Sequence, residues 1–236
     1  MTAVVSVSNL INSLRFISGA IFFMVYLYSY PHSGRSWVQM ILDEFEIDST
    51  VDHGTMINEK YYHNKTFTDS HGTFAYLIRN PFDVLTSRYL KFSRKYGDMW
   101  ISLEKFLLYK SPTLNKTQIE DIFAHYTSGL RYQKIYNNFV IIKYEALISE
   151  DGHKELKKLL PNIPESILKQ TLSKYSLDNV TYLSKCDPDF SSKYSLQFKM
   201  NGGGSKYKEL LSESQINDIE NFLVDNKYYD MHLLFS

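Results

Sequence analysis

The run Tyr30-Pro31-His32-Ser33-Gly34-Arg35-Ser36-Trp37 combines the residue types that hold an oxyanion. It follows an apolar, aromatic stretch and precedes a helical pattern in which Val38, Ile41, Leu42 and Phe45 share one face. Backbone N–H groups at a helix start, here Gly34 to Trp37, lack intrahelical acceptors, and the helix dipole turns its positive end toward them. Ser33 and Ser36 add hydroxyl donors and Arg35 adds charge. The chemistry is phosphate or sulfate binding; an ordinary Ser/Gly turn between strand and helix is the alternative. A Walker A loop is excluded, because no Gly, four residues, Gly-Lys-Ser/Thr run occurs.

A second constellation lies at Arg79-Asn80-Pro81-Phe82-Asp83-Val84-Leu85-Thr86-Ser87. Asn80 suits an N-cap, Pro81 the first helical position and Asp83 the first turn. Arg79 at a strand end can fork onto a phosphate, and Ser87 faces it from the second helical turn. A surface arginine or a structural ion pair is the plainer reading. Between the two constellations lie His53, His63 and His71. Imidazole suits a general base because its unperturbed pKa is near neutrality. His63 follows the aromatic pair Tyr61-Tyr62 at the end of a possible short strand, whereas His53 and His71 adjoin glycines in polar sequence. No carboxylate cluster marks a Mg²⁺ site, so no metal is expected. The one cysteine, Cys186, excludes an internal disulfide and reads as a passive thiol.

The elements that position these residues alternate. Strands are expected at Phe22–Ser29, Thr73–Ile78 and Phe139–Tyr144, and helices at Ser36–Phe45, Pro81–Tyr96, Ile101–Tyr109, Lys116–Tyr136, His153–Leu160, Pro164–Lys174 and Leu177–Ser184. Asp48–Ser70 reads as polar and irregular apart from a short strand at Glu59–Tyr62, and Cys186–Ser205 reads as loop. A final helix opens at Ser212, with Gln215 completing a capping box. The expected fold class is α/β: a P-loop-like parallel sheet flanked by helices on both faces, with ligands at the strand ends. A chain of 236 residues with 44% hydrophobic content suits one domain, preceded by a lead-in over residues 1–20, with a flexible lid loop at 187–207.

Equal numbers of basic and acidic side chains, 26 each, leave no global field to attract nucleic acid or a membrane. Arg88, Lys91, Arg94 and Lys95 cluster locally, as a funnel for a polyanion or as a solvated helix face. Phe16–Tyr30 carries no charge, but Ser18, Gly19 and several tyrosines interrupt it, and it falls short of the ~20 apolar residues that a span needs. Its end is also committed to the anion loop. The expectation is a cytoplasmic protein, with an N-terminal anchor as the minor alternative.

Both constellations resemble sulfotransferase motifs. Tyr30–Trp37 is similar to the 5′-phosphosulfate loop Tyr-Pro-Lys-Ser-Gly-Thr/Arg-Thr-Trp, with His32 in place of the usual Lys and Ser36 in place of Thr. Arg79–Ser87 resembles the 3′-phosphate motif Arg-Asn/Asp-Pro-x-Asp-Val-x-x-Ser. Ile141–Leu147 looks like the family's strand ending in Tyr-Glu-Asp-Leu, and Tyr175-Ser176-Leu177 like its adenine-side segment. The resemblance implies 3′-phosphoadenosine 5′-phosphosulfate (PAPS) as donor, bound by Ser33, Gly34, Arg35, Ser36, Trp37, Arg79, Ser87, Tyr144 and Ser176. It implies His63 as the base, with His32 or Arg35 taking the loop lysine's part. The C-terminal Arg-Lys-Gly-x-x-Gly-Asp-Trp motif is missing. Met200 and Asn201 stand at its basic pair, leaving Lys199, Lys206 or the glycine-rich backbone of 202–204 to substitute. The acceptor is a hydroxyl compound of unreadable class (carbohydrate, lipid or small molecule). A P-loop kinase, or a nucleotide-binding protein of the same fold with impaired catalysis, are the competing readings.

Overall fold

The computed structural model describes residues 24–52, 72–97, 101–110, 115–194 and 207–225. Four parallel strands form one sheet: β1 (Met24–Ser29), β2 (Ser49–Asp52), β3 (Gly72–Ile78) and β4 (Phe139–Lys143), in the order β2-β1-β3-β4. Leu27 pairs with Val51 on one side and Ala75 on the other, and Ala75 pairs in turn with Val140. From β1 the chain passes first to β2 on one side and then to β3 on the other. That reversal opens a crevice at the carboxyl ends of β1 and β3, where ligands bind in open α/β sheets.

Both faces are covered, as the alternation of β3 requires. Phe74, Tyr76 and Ile78 point into one core, and Ala75 and Leu77 into the other. The Ala75 side holds α1 (Arg35–Glu44), α5 (Tyr144–Leu147), α6 (Gly152–Leu159), α7 (Glu165–Lys174) and α8 (Leu177–Cys186). On the opposite side are α2 (Pro81–Tyr96), α3 (Leu103–Leu108) and α4 (Gln118–Ile135). Gly129 lets α4 lie close on the sheet: a Cβ there would meet the Tyr76 ring at 2.4 Å.

The expected α/β class holds, with three differences in the elements. Ser49–Asp52, read as irregular, is a strand, because parallel pairing to β1 supplies what its short polar sequence does not advertise. Tyr144 opens α5 rather than closing β4. The stretch read as loop from Cys186 contains the end of α8 and a further helix, α9 (Pro188–Lys193). Asp187 caps α9 by accepting from the N–H groups of Asp189 and Phe190, both at 3.0 Å, with Pro188 at its first position. The chain ends its described part with α10 (Tyr207–Leu210) and α11 (Glu213–Asp225). Ser212 and Gln215 make the expected reciprocal cap there. Among the described residues no helix is long and apolar enough to cross a membrane.

Candidate active site at the strand ends

The first junction turns sharply after β1. Ser33 N–H donates to Tyr30 O at 3.2 Å, and His32 and Gly34 both take positive φ, 74° and 93°. For Gly34 this is the left-handed region that glycine enters without a Cβ penalty. Gly34 also has no room for a side chain, since a Cβ would stand 2.5 Å from the Tyr144 ring. α1 starts with no side-chain cap and no acidic residue in its first turn, so nothing on its own side chains offsets its positive end. One expectation needs correcting: Trp37 N–H already donates to Gly34 O at 3.0 Å, which removes it from the set of donors open to an anion. Ser33 is fully buried, with its hydroxyl making no complete hydrogen bond and the Tyr126 hydroxyl nearby.

The second junction leaves β3 at Arg79, which is 6% exposed. Its Nη1 donates to His32 O at 3.3 Å, and its guanidinium lies 4.6 Å from the centre of the Tyr144 ring. The Arg79 backbone is gripped by Tyr126, whose hydroxyl donates to Arg79 O at 2.7 Å. Asn80 N–H donates to Glu145 Oε1 at 2.7 Å. Burial pushes the Tyr126 and Tyr144 phenols up, so both stay protonated, and Arg79 opposes the shift at each. Burial likewise raises the Glu145 carboxyl, against the Asn80 N–H that favours its charged form. Ser87 is half-buried in the second turn of α2.

Tyr144 therefore sits between the two sequence-predicted segments Tyr30–Trp37 and Arg79–Ser87. Gly34 touches its ring, Arg79 lies over it, and Trp37 meets it edge-on with centroids 5.9 Å apart. Trp37, Tyr144, Ser176 and Leu177 also line one cavity of about 290 Å³, together with Leu147, Ile148, Ser149 and Leu172. A space of that size with aromatic and aliphatic walls and few polar groups suits one planar heterocycle. Trp37 Nε1 donates to Tyr175 O at 2.5 Å, which fixes the indole against the wall.

Sequence reasoning missed Tyr126 as the support of the Arg79 backbone and Glu145 as that of the Asn80 backbone. Glu145 was visible as the neighbour of Tyr144, but Tyr126 lies mid-helix with no local signal. It also read Arg88 as part of an open basic cluster. Arg88 instead donates from Nη1 to the Tyr30 hydroxyl at 2.6 Å, while that hydroxyl donates to Asp121 at 2.8 Å, tying α2, the first loop and α4 together. Lys91, Arg94 and Lys95 remain on the exposed face. His63, with His53 and His71, lies outside the described residues, as do Lys199 and Lys206. No group of His, Cys, Asp or Glu among the described residues is arranged to hold a metal ion.

Residues 58–231 match the model of the sulfotransferase domain family, and the chain belongs to that family. It is accordingly a transferase with a P-loop-like α/β fold. The match begins after the Tyr30–Trp37 loop, so likeness at that loop rests on fold. The chain is similar to the crystal structure of mouse sulfotransferase SULT7A1 complexed with PAP. The TM-score is 0.64 at 17% identity, covering 95% of this chain and 93% of that one. No curated protein matches in sequence at a significant level.

Proposed function

We propose that this transferase moves a sulfuryl group from PAPS to a hydroxyl-bearing acceptor. The observation that carries the reading is the meeting at Tyr144 of an uncapped helix start, a buried arginine and a flat-walled cavity. Three features of the donor answer to these: a 5′-phosphosulfate, a 3′-phosphate and a purine. Adenine would lie in the cavity beside Trp37, Tyr144, Ser176 and Leu177. The 3′-phosphate would take Arg79 and Ser87, and Lys199 is assigned to its far side. The 5′-phosphosulfate would take the N–H groups that open α1 and the hydroxyls of Ser33 and Ser36.

The reaction needs one proton acceptor and one stabiliser of the leaving phosphate. His63 is assigned as the base that accepts the acceptor's hydroxyl proton. The acceptor oxygen then bonds to sulfur as the bond from sulfur to the bridging phosphate oxygen breaks, in line. Adenosine 3′,5′-bisphosphate leaves with the electron pair. His32 when protonated, or Arg35 at any pH, would balance the charge that develops on that oxygen. The acceptor is of carbohydrate, lipid or small-molecule class, and the setting is cytoplasmic.

Calorimetric titration with adenosine 3′,5′-bisphosphate and with ATP tests the donor assignment: the bisphosphate should bind the more tightly. Equal or reversed preference would return the chain to the kinase-like reading. Turnover against a panel of hydroxyl acceptors separates an active enzyme from a nucleotide-binding relative. His63→Ala should lower turnover by roughly 10²–10⁴-fold and spare bisphosphate binding, because a general base acts on the chemical step. His53→Ala and His71→Ala should stay active; if either is dead while His63→Ala turns over, the base is misassigned.

A further inference from the structure

α1 ends in Asp43 and Glu44, two acids at the negative end of a helix dipole with no basic residue in the last turn. For an isolated helix that placement is unfavourable, so its explanation lies in what packs against it. Two Lys-Tyr pairs, each closing a helix, meet the two acids. Lys174 Nζ lies 2.7 Å from both carboxylate oxygens of Glu44, and the Tyr175 hydroxyl donates to Glu44 Oε2 at 2.8 Å. Lys193 Nζ and the Tyr194 hydroxyl each lie 2.8 Å from Asp43 Oδ2. Each lysine also sits over its own tyrosine ring, at 5.2 and 4.9 Å. The two pairs do different things. Tyr194 ends α9, whereas Tyr175 supplies the carbonyl that accepts the Trp37 indole N–H, and Ser176 and Leu177, which follow it, line the cavity.

We propose that Glu44 is a positioning residue for the planar end of the site: its grip on Lys174 and Tyr175 holds the carbonyl that orients Trp37. Trp37 and Glu44 lie two turns apart on the same helix, so α1 carries both the aromatic wall and the anchor that fixes it. The ligand in this inference rests on the donor reading above; the orientation of Trp37 does not.

The chain has two tryptophans, so a Trp100→Phe background isolates Trp37 emission. In that background, without ligand, Glu44→Ala should shift the emission to the red and make the indole more quenchable by acrylamide. Asp43→Ala, which releases α9 instead, should leave both unchanged. In titrations, Glu44→Ala should weaken adenosine 3′,5′-bisphosphate by about 3- to 10-fold and leave inorganic pyrophosphate unaffected. A Trp37→Phe background should abolish that dependence. Unaltered emission and quenching in folded Glu44→Ala overturn the proposal. An equal response to Asp43→Ala, or equal weakening of both ligands, also does so by pointing to general loosening. Should Glu44→Ala not fold, Glu44→Gln keeps an acceptor for the Tyr175 hydroxyl, loses the ion pair, and is read the same way with smaller changes. If the wild type fails to bind the bisphosphate, the donor assignment falls and the ligand-free fluorescence alone decides the role of Glu44.

Discussion

The two strand-to-helix junctions meet at one place and are built in opposite ways. After β1, the helix starts at a left-handed Gly34 with no side-chain cap and no acid in its first turn. After β3, the Asn80 side chain accepts from the N–H groups of Phe82 and Asp83 at 2.9 and 3.4 Å, with Pro81 at the first position and Asp83 in the first turn. The first junction keeps its helix end unsatisfied by the chain's own side chains; the second closes it. α4 is closed as well, by a reciprocal cap between Thr117 and Glu120. α5, α6, α7 and α8 also start without a side-chain cap, but each carries an acid in its first turn; among the described helices α1 alone has neither, and it falls where the strand order reverses. At the closed junction the positive group is a side chain, Arg79. Backbone donors and a guanidinium would then divide the anionic groups of a nucleotide between them.

The comparison breaks most severely at Gly34. Gly34→Ala would force a side chain into the left-handed region and drive its Cβ to 2.5 Å from the Tyr144 ring. Left-handed strain and overpacking together disfavour this loop geometry by about 3 kcal/mol, so the free loop relaxes out of it, binding must restore it, and bisphosphate affinity should fall by about 100-fold in titration. Near-normal binding would show that the close approach to Tyr144 is incidental. Next in size is Arg79→Ala, which removes a buried charge from the closed junction. A charge-assisted contact is worth about 1.5–3 kcal/mol, so binding of adenosine 3′,5′-bisphosphate should weaken by roughly 10- to 150-fold. Affinity for adenosine 5′-phosphate, which lacks the 3′ group, should change far less. Parallel losses for the two nucleotides would remove the 3′-phosphate assignment.

Asn80→Ala sharpens the contrast by opening the closed end. Loss of an N-cap costs about 0.5–2 kcal/mol of stability. Thermal unfolding should therefore shift down by several degrees, while affinity stays within about twofold. A large affinity loss without destabilisation would mean that the cap serves the ligand rather than the helix. The smallest effect is expected at Glu145, which accepts from Asn80 N–H while burial raises its carboxyl pKa. A carboxyl raised on folding holds its proton to higher pH in the native state than in the unfolded chain. Its contribution is thus most favourable on the acid side and declines as pH rises through the window between the two values. Glu145→Gln keeps an acceptor and removes the charge, so stability near neutrality should be equal or slightly higher, and that part of the pH dependence should flatten. A clear loss of stability at pH 7 would show that the charged form is required.

Much of the site was legible because its signals are local. The Ser/Gly turn before a helical pattern, the Asn80-Pro81-x-Asp83 start, and the apolar strand runs each lie within about one element, where backbone sterics, capping and periodicity set the outcome. α2 falls at Pro81–Tyr96, as its caps and spacing indicate. Signals failed where a neighbour distant in sequence decides. Ser49–Asp52 becomes a strand only because β1 offers it an edge. Arg88 looks like one charge in a basic run until Tyr30 and Asp121 enclose it.

By itself, the sequence determined the α/β class, the two junctions and which residues stand in them. Tertiary structure alone decided that Tyr144 is the common neighbour of Gly34, Arg79 and Trp37, that Tyr126 grips the Arg79 backbone, and that Asp43 and Glu44 face two Lys-Tyr pairs. The physical reason is range. Caps, turns and periodic faces depend on residues a few positions apart, whereas these contacts join positions separated by 47 to 151 residues. They exist only once the strand order has brought the ends of β1, β3 and β4 together.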